Sequence, residues 1–267
     1  MTAGADFIET GAGADRVILL IHASTSGARQ WRQLMTELGG LYHLIAVNMM
    51  GYGGTPAWAG SRPQTMDDHL DVIEPILPVG DAKIHIVGHS LGGAVAMALA
   101  KRLGDRVEKL ILLEPNPFYL LRDHGRDEAY AEITAVANDV RENSDAGDLE
   151  KAAENFGDYW SEPGYWTSLH DNLRASFMEN LRNNYYEWEA VLEGDVTLDE
   201  WREALPGQTL VVSARDTTRP ILEIVDLMRQ TCPAWDYVQL PEGGHMAPMS
   251  HAQSVNPIIA DFIHGRI

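Results

Sequence analysis

Six short, strand-like runs recur along the chain, the first five apolar on nearly every residue, and they restrict its fold more than any other feature. They are Val17-Ile18-Leu19-Leu20-Ile21, Leu44-Ile45-Ala46-Val47, Ile84-His85-Ile86-Val87, Leu110-Ile111-Leu112-Leu113, Thr209-Leu210-Val211-Val212, and Asp236 to Leu240. A strand with one face in water alternates apolar and polar residues, whereas one covered on both faces is apolar throughout. Helix-forming stretches separate the runs. Thr65 to Leu77 opens on a threonine followed by acidic residues, an N-terminal signal, and Leu91 to Leu103 is rich in alanine. Ile221 to Gln230 and Ala252 to Ile263 follow the fifth and sixth runs. Strands alternating with helices in this way predict an α/β fold with a mostly parallel, doubly wound sheet.

The alternation lapses once, between residues 117 and 205. Helix formers dominate there, with Trp160, Trp166, Trp188 and Trp201 among them. The expected organisation is a core domain built from residues 1–116 and 206–267, with residues 117–205 as a helical lid inserted over the strand ends. The 267 residues, 45% of them hydrophobic, suffice for one full core. A formal charge of −19 argues against a nucleic-acid partner, since the surface would repel a polyanion. Cys232 is the single cysteine, so no internal disulfide can form. Neither a basic, apolar leader nor a run of about 18 apolar residues occurs, so the expectation is a cytoplasmic protein without a membrane span. Its partner would be a small-molecule substrate, and a homo-oligomer is compatible with the sequence.

One motif carries chemistry. Gly88-His89-Ser90-Leu91-Gly92 follows the third run and opens a helix, the context in which G-x-S-x-G exposes a nucleophilic serine on a sharp turn. The glycines leave room for the strained backbone. A serine hydroxyl is a weak nucleophile and needs a base. Pro241-Glu242-Gly243-Gly244-His245 follows the last run, and its two glycines permit a loop folding back over the sheet end. His245 is therefore the candidate base, preferred over His251. Asp216, in the loop after the fifth run, is the first choice for the carboxylate that orients the imidazole; Glu114, after the fourth run, is the alternative. Two N–H donors for an oxyanion are expected from Leu91 and from Ser24, with Ala23 second to Ser24. His22 is expected to brace the loop that carries them.

Together these residues resemble the α/β-hydrolase superfamily over nearly the whole chain. The resemblance includes the histidine-led loop from His22 to Trp31, the Gly51-Tyr52-Gly53-Gly54-Thr55 loop, the serine turn, the position of the insertion, and Gly244-His245 before a terminal helix. It implies a hydrolase that needs no cofactor and no metal, with its site between sheet and lid. It also implies that Phe7 to Thr10 represents the first strand. The usual His-Gly reads His22-Ala23 here, and Asn48 stands where an aspartate is common. Serine at the nucleophile position is unlike the carboxylate of epoxide hydrolases and haloalkane dehalogenases. The His22–Trp31 loop has the layout of meta-cleavage-product hydrolases, which cleave carbon–carbon bonds, but that group usually carries a tryptophan after the catalytic histidine, where Met246 stands. The expected function is thus hydrolysis of a small, apolar carboxylic ester through an acyl-enzyme on Ser90. Carbon–carbon bond hydrolysis is the alternative, and a non-catalytic ligand-binding receptor on the same fold is the alternative of another class.

Overall fold

The computed structural model describes residues 4–267. Seven strands form one sheet: β1 (Phe7–Thr10), β2 (Val17–Ile21), β3 (His43–Val47), β4 (Ile84–His89), β5 (Val107–Leu113), β6 (Thr209–Ala214) and β7 (Asp236–Leu240). Their spatial order is β1-β3-β2-β4-β5-β6-β7. Only β1 runs antiparallel, pairing Phe7 with Val47 and Thr10 with Leu44 at the edge; every other pairing is parallel. Each apolar run of the sequence is a strand, and β2 illustrates why. Val17, Leu19 and Ile21 join the core on one face, while Ile18 and Leu20 join the core on the other.

Among the described residues, twelve α-helices connect and cover these strands. They are α1 (Arg32–Leu38), α2 (Met66–Ile73), α3 (Leu91–Leu103), α4 (Tyr119–Asp123), α5 (Asp127–Asp145), α6 (Leu149–Trp160), α7 (Tyr165–Ser168), α8 (Asp171–Leu192), α9 (Leu198–Ala204), α10 (Arg219–Thr231), α11 (Ala247–Ser250) and α12 (Ala252–His264). Helices α1 and α12 supply the smaller apolar core on one face of the sheet, and α2, α3 and α10 contribute to the larger one on the other. Crossovers on both faces are what a parallel sheet demands. Helix α2 starts where its sequence signal lies. Thr65 and Asp68 form a capping box, the Asp68 N–H bonding the Thr65 hydroxyl and the Thr65 N–H bonding the Asp68 carboxylate. It ends at Ile73 rather than Leu77, because Pro75 follows and the chain tightens into a 3-10 turn over Glu74–Ile76.

Helices α4 to α9 all lie between β5 and β6. In α6 the buried residues Ala152, Ala153, Phe156, Gly157 and Trp160 recur at helical spacing. Trp160 thereby reaches the imidazole of His245, with the two rings 4.2 Å apart. This insertion and the carboxyl ends of the parallel strands enclose the site between them, the position where open α/β sheets bind their ligands.

Candidate active site

Ser90 occupies the turn between β4 and α3 at φ 56°, ψ −121°. A non-glycine residue rarely adopts positive φ, and the neighbours must leave it room. A Cβ on Gly92 would stand 2.4 Å from the Ile21 carbonyl oxygen, and one on Gly88 would stand 2.1 Å from the Gly92 carbonyl oxygen. Both positions therefore accept only glycine. The turn is held by the Ser90 N–H donating to Leu113 O at 2.9 Å.

The imidazole of His245 lies at this hydroxyl, with Nε2 2.9 Å from Ser90 Oγ. Its approach loop runs through Gly243 and Gly244, both at positive φ. On the other side of the ring, Nδ1 lies 3.2 Å from Oε2 of Glu114. Serine, histidine and carboxylate are each at most 5% exposed. The carboxylate beside the ring is Glu114, and the expectation for Asp216 is corrected here. Asp216 is exposed and points at the loop backbone instead, accepting from the N–H groups of Gly243 at 3.1 Å and Gly244 at 2.9 Å. It braces the loop that carries His245 without touching the ring. Glu114 directly follows β5, the strand beside β4, and its backbone is also at positive φ (50°). That kink turns its side chain back over the sheet end, where it also accepts from Ala214 N–H at 2.6 Å and from the Thr217 hydroxyl.

Burial disfavours charge on both partners. It pushes Glu114 up from the ordinary carboxylate range, against the pull of the Thr217 and Ala214 donors, and it pushes His245 well below the ordinary imidazole range.

Leu91 and Ser24 both line the cavity above Ser90. Among the described residues no protein acceptor takes the N–H of either. The Ala23 N–H, by contrast, is occupied by Gln30 Oε1 at 3.0 Å. Gln30 in turn reaches His89 Nδ1 at 3.0 Å, and His89 Nε2–H donates to the His245 carbonyl at 2.9 Å. This chain ties the serine turn, the histidine loop and the Ser24 loop to one another. His22 braces the same loop as expected: Nδ1–H donates to Ala23 O at 2.7 Å, while Nε2 accepts from Met49 N–H at 3.0 Å. His251 stands apart, bonded to Ser250 Oγ at 2.8 Å.

Several residues at the site had no role legible in the sequence. Trp160 covers the imidazole, Asn116 extends Nδ2 to 3.5 Å from Ser90 Oγ, and Glu187 of α8 is buried in the cavity wall. Burial raises the Glu187 carboxyl to about 7, although the Ser24, Tyr52 and Asn184 donors oppose the shift. Phe156, Phe177 and Trp188 make the rest of the wall largely apolar. No Lys or Arg occurs among the described lining residues. Nor does any group of three or more His, Cys, Asp or Glu side chains suited to hold a metal, and no helix among them is long and apolar enough to cross a membrane.

This geometry agrees with relationships found in known proteins. The sequence signature of the Alpha/beta hydrolase family matches residues 18–258, and the chain belongs to that family. It is 27% identical over 257 residues to the 2-hydroxymuconate semialdehyde hydrolase of Pseudomonas sp. (strain CF600), covering 94% of this chain and 88% of that protein. It is 29% identical over 146 residues to the pimeloyl-[acyl-carrier protein] methyl ester esterase of Aeromonas salmonicida (strain A449), covering 55% of this chain and 53% of that one. Among solved structures, an alpha/beta hydrolase enzyme from a Medee basin deep-sea metagenome library superimposes with a TM-score of 0.79, at 14% identity, over 97% of this chain and 94% of that chain. Fold, family and relatives together make the protein a hydrolase.

Proposed function

We propose that the protein is a serine-dependent carboxylic ester hydrolase acting on a small, uncharged, largely apolar ester. The observation that carries this reading is the hydrogen-bonded series Ser90–His245–Glu114 beneath an apolar wall. In the first half-reaction His245 Nε2 removes the proton from Ser90 Oγ as that oxygen bonds to the ester carbonyl carbon. Glu114 keeps the one N–H proton of the neutral imidazole on Nδ1, so that Nε2 has a free lone pair, and stabilises the imidazolium that forms. The carbonyl oxygen becomes an oxyanion between the N–H groups of Leu91 and Ser24. On collapse the carbon–oxygen bond to the alcohol breaks, and His245 returns its proton to the leaving oxygen. Water then attacks the acyl-enzyme by the same route, releasing the acid and restoring Ser90. Trp160 shields the imidazole from bulk water.

The apolar wall favours an ester over the carbon–carbon substrates of the meta-cleavage type. A substrate carrying a carboxylate would meet no cation in the described lining and would stand near Glu187 instead. Hydrolysis of p-nitrophenyl butyrate, compared with a vinylogous 1,5-diketo acid, tests the preference. The expected result is turnover of the ester, loss of turnover in Ser90→Ala, and fluorophosphonate labelling of Ser90 alone. Efficient cleavage of the diketo acid with negligible ester turnover would overturn the ester assignment. Labelling that survives Ser90→Ala would overturn the site.

A further inference from the structure

One face of helix α8 is polar although it points into the protein. Asn180, Asn183, Asn184 and Glu187 recur at the i, i+3, i+4, i+7 spacing that aligns side chains on a single helix face. All four bond to one or both of two core loops. Asn180 Nδ2 donates to Thr25 O at 3.1 Å, Asn183 Nδ2 to Gly51 O at 2.9 Å, and Asn184 Nδ2 to Ser24 Oγ at 2.9 Å. Glu187 is the terminus of the network. Its Oε1 accepts from the Tyr52 hydroxyl at 2.9 Å, and its Oε2 accepts from the Ser24 hydroxyl. The Tyr52 oxygen itself accepts from Thr25 N–H at 2.9 Å.

Thr25 is at φ 60°, a region that β-branched residues enter only under constraint. Without its partners the 24–25 peptide would relax, and about Ser24 Cα the adjoining 23–24 peptide, which carries the Ser24 N–H, would turn with it. The two hydroxyls that hold this peptide both end on one carboxylate, carried by the insertion rather than by the core. We infer that Glu187 is a positioning residue for the oxyanion site: through Tyr52 and Ser24 it fixes the strained Ser24–Thr25 peptide, so the Ser24 N–H is aligned only while helix α8 is docked. The inference rests on the ester-hydrolase reading above, in which that N–H receives the oxyanion.

The test separates alignment of the transition state from simple retention of the helix. A trifluoromethyl ketone bearing a short alkyl chain adds Ser90 Oγ to its carbonyl and places an oxyanion where the reaction does. Glu187→Ala is expected to lower kcat about tenfold to a hundredfold, the scale of a misaligned donor, with KM within about twofold. The inhibition constant of the ketone should rise by the same factor as kcat/KM falls. Glu187→Gln, which keeps an acceptor and the shape, should recover most of the loss. Tyr52→Phe should reproduce the Ala phenotype, and it carries the test should Glu187→Ala fail to fold. In the double variant Glu187→Ala/Tyr52→Phe the losses should not add, because both act through one peptide. An unchanged ketone affinity, or a loss expressed wholly in KM, would overturn the inference. Absence of fluorophosphonate labelling in the unmodified protein would instead remove the reading on which it rests.

Discussion

Replacing Glu114 and Asp216 in turn by their amides is the sharpest perturbation the structure offers. Glu114→Gln keeps the volume of the side chain but fixes its polarity. The Ala214 N–H must still find an acceptor, and at 2.6 Å it orients the amide oxygen to the Oε1 position. The amide nitrogen then stands at the Oε2 position, facing His245 Nδ1 across 3.2 Å. A donor there demands a lone pair on Nδ1, which places the imidazole proton on Nε2. That tautomer cannot take the proton of Ser90. Stabilisation of the wrong tautomer elsewhere lowers kcat by about 10⁴-fold, roughly 5 kcal/mol of transition-state energy. The expectation for Glu114→Gln is therefore a loss of about 10³- to 10⁴-fold. Asp216→Asn should behave differently. Asp216 holds only the Gly243 and Gly244 N–H groups, and an amide oxygen still serves one of them. The loss of one such bond is worth about 1 kcal/mol of stability, and kcat should stay within about tenfold. Steady-state hydrolysis of p-nitrophenyl butyrate, with urea denaturation alongside, measures both. If Asp216→Asn lost a thousandfold while Glu114→Gln remained nearly active, the assignment of Glu114 as the orienting carboxylate would be refuted.

Three further outcomes are expected. Burial lowers His22, His69 and His85 to about 4 and His89 to about 3, so these four stay neutral in the folded chain well below their ordinary pKa of 6.5. Below pH 6.5 the unfolded chain binds those protons and the native one does not, so stability must fall as pH falls towards 4. Glu187, raised to about 7, acts in the opposite sense, and the contrary shifts of Glu114 and His245 offset each other. Roughly three protons remain, or roughly 4 kcal/mol per pH unit near pH 5. Denaturation midpoints at pH 7, 6 and 5 check it, and equal midpoints would show that the histidines titrate normally. Gly92→Ala forces a methyl against the Ile21 and His22 carbonyl oxygens, at 2.4 and 2.5 Å. It should cost at least about 2 kcal/mol, on the scale of overpacking, and abolish activity; calorimetry showing an unshifted transition would contradict it. Trp160→Ala exposes the imidazole it covers, so the apparent pKa of the acid limb of kcat/KM should move upward as water relieves the desolvation of the charged ring. A limb that stays in place would mean the tryptophan does not set the imidazole's environment.

The sequence alone determined the sheet and the two side chains that meet at its edge. Strands covered on both faces must be apolar on successive residues, so the pattern was local and strong. The serine turn was equally local, since only glycines at 88 and 92 admit its geometry. The carboxylate was not decided by local pattern. Glu114 and Asp216 both follow strands at the same end of the sheet, and which one faces the imidazole depends on how two loops fold back. A positive φ at Glu114 turns its carboxylate towards the ring, while two glycine N–H groups hold Asp216 away from it. The insertion was legible as helices but not as a wall. Trp160, Asn184 and Glu187 reach the cavity only because α6 and α8 pack with particular faces towards the strand ends. Side-chain spacing fixes the face of an isolated helix, but contact with the distant loop at Ser24 and Thr25 exists only once the whole chain has folded.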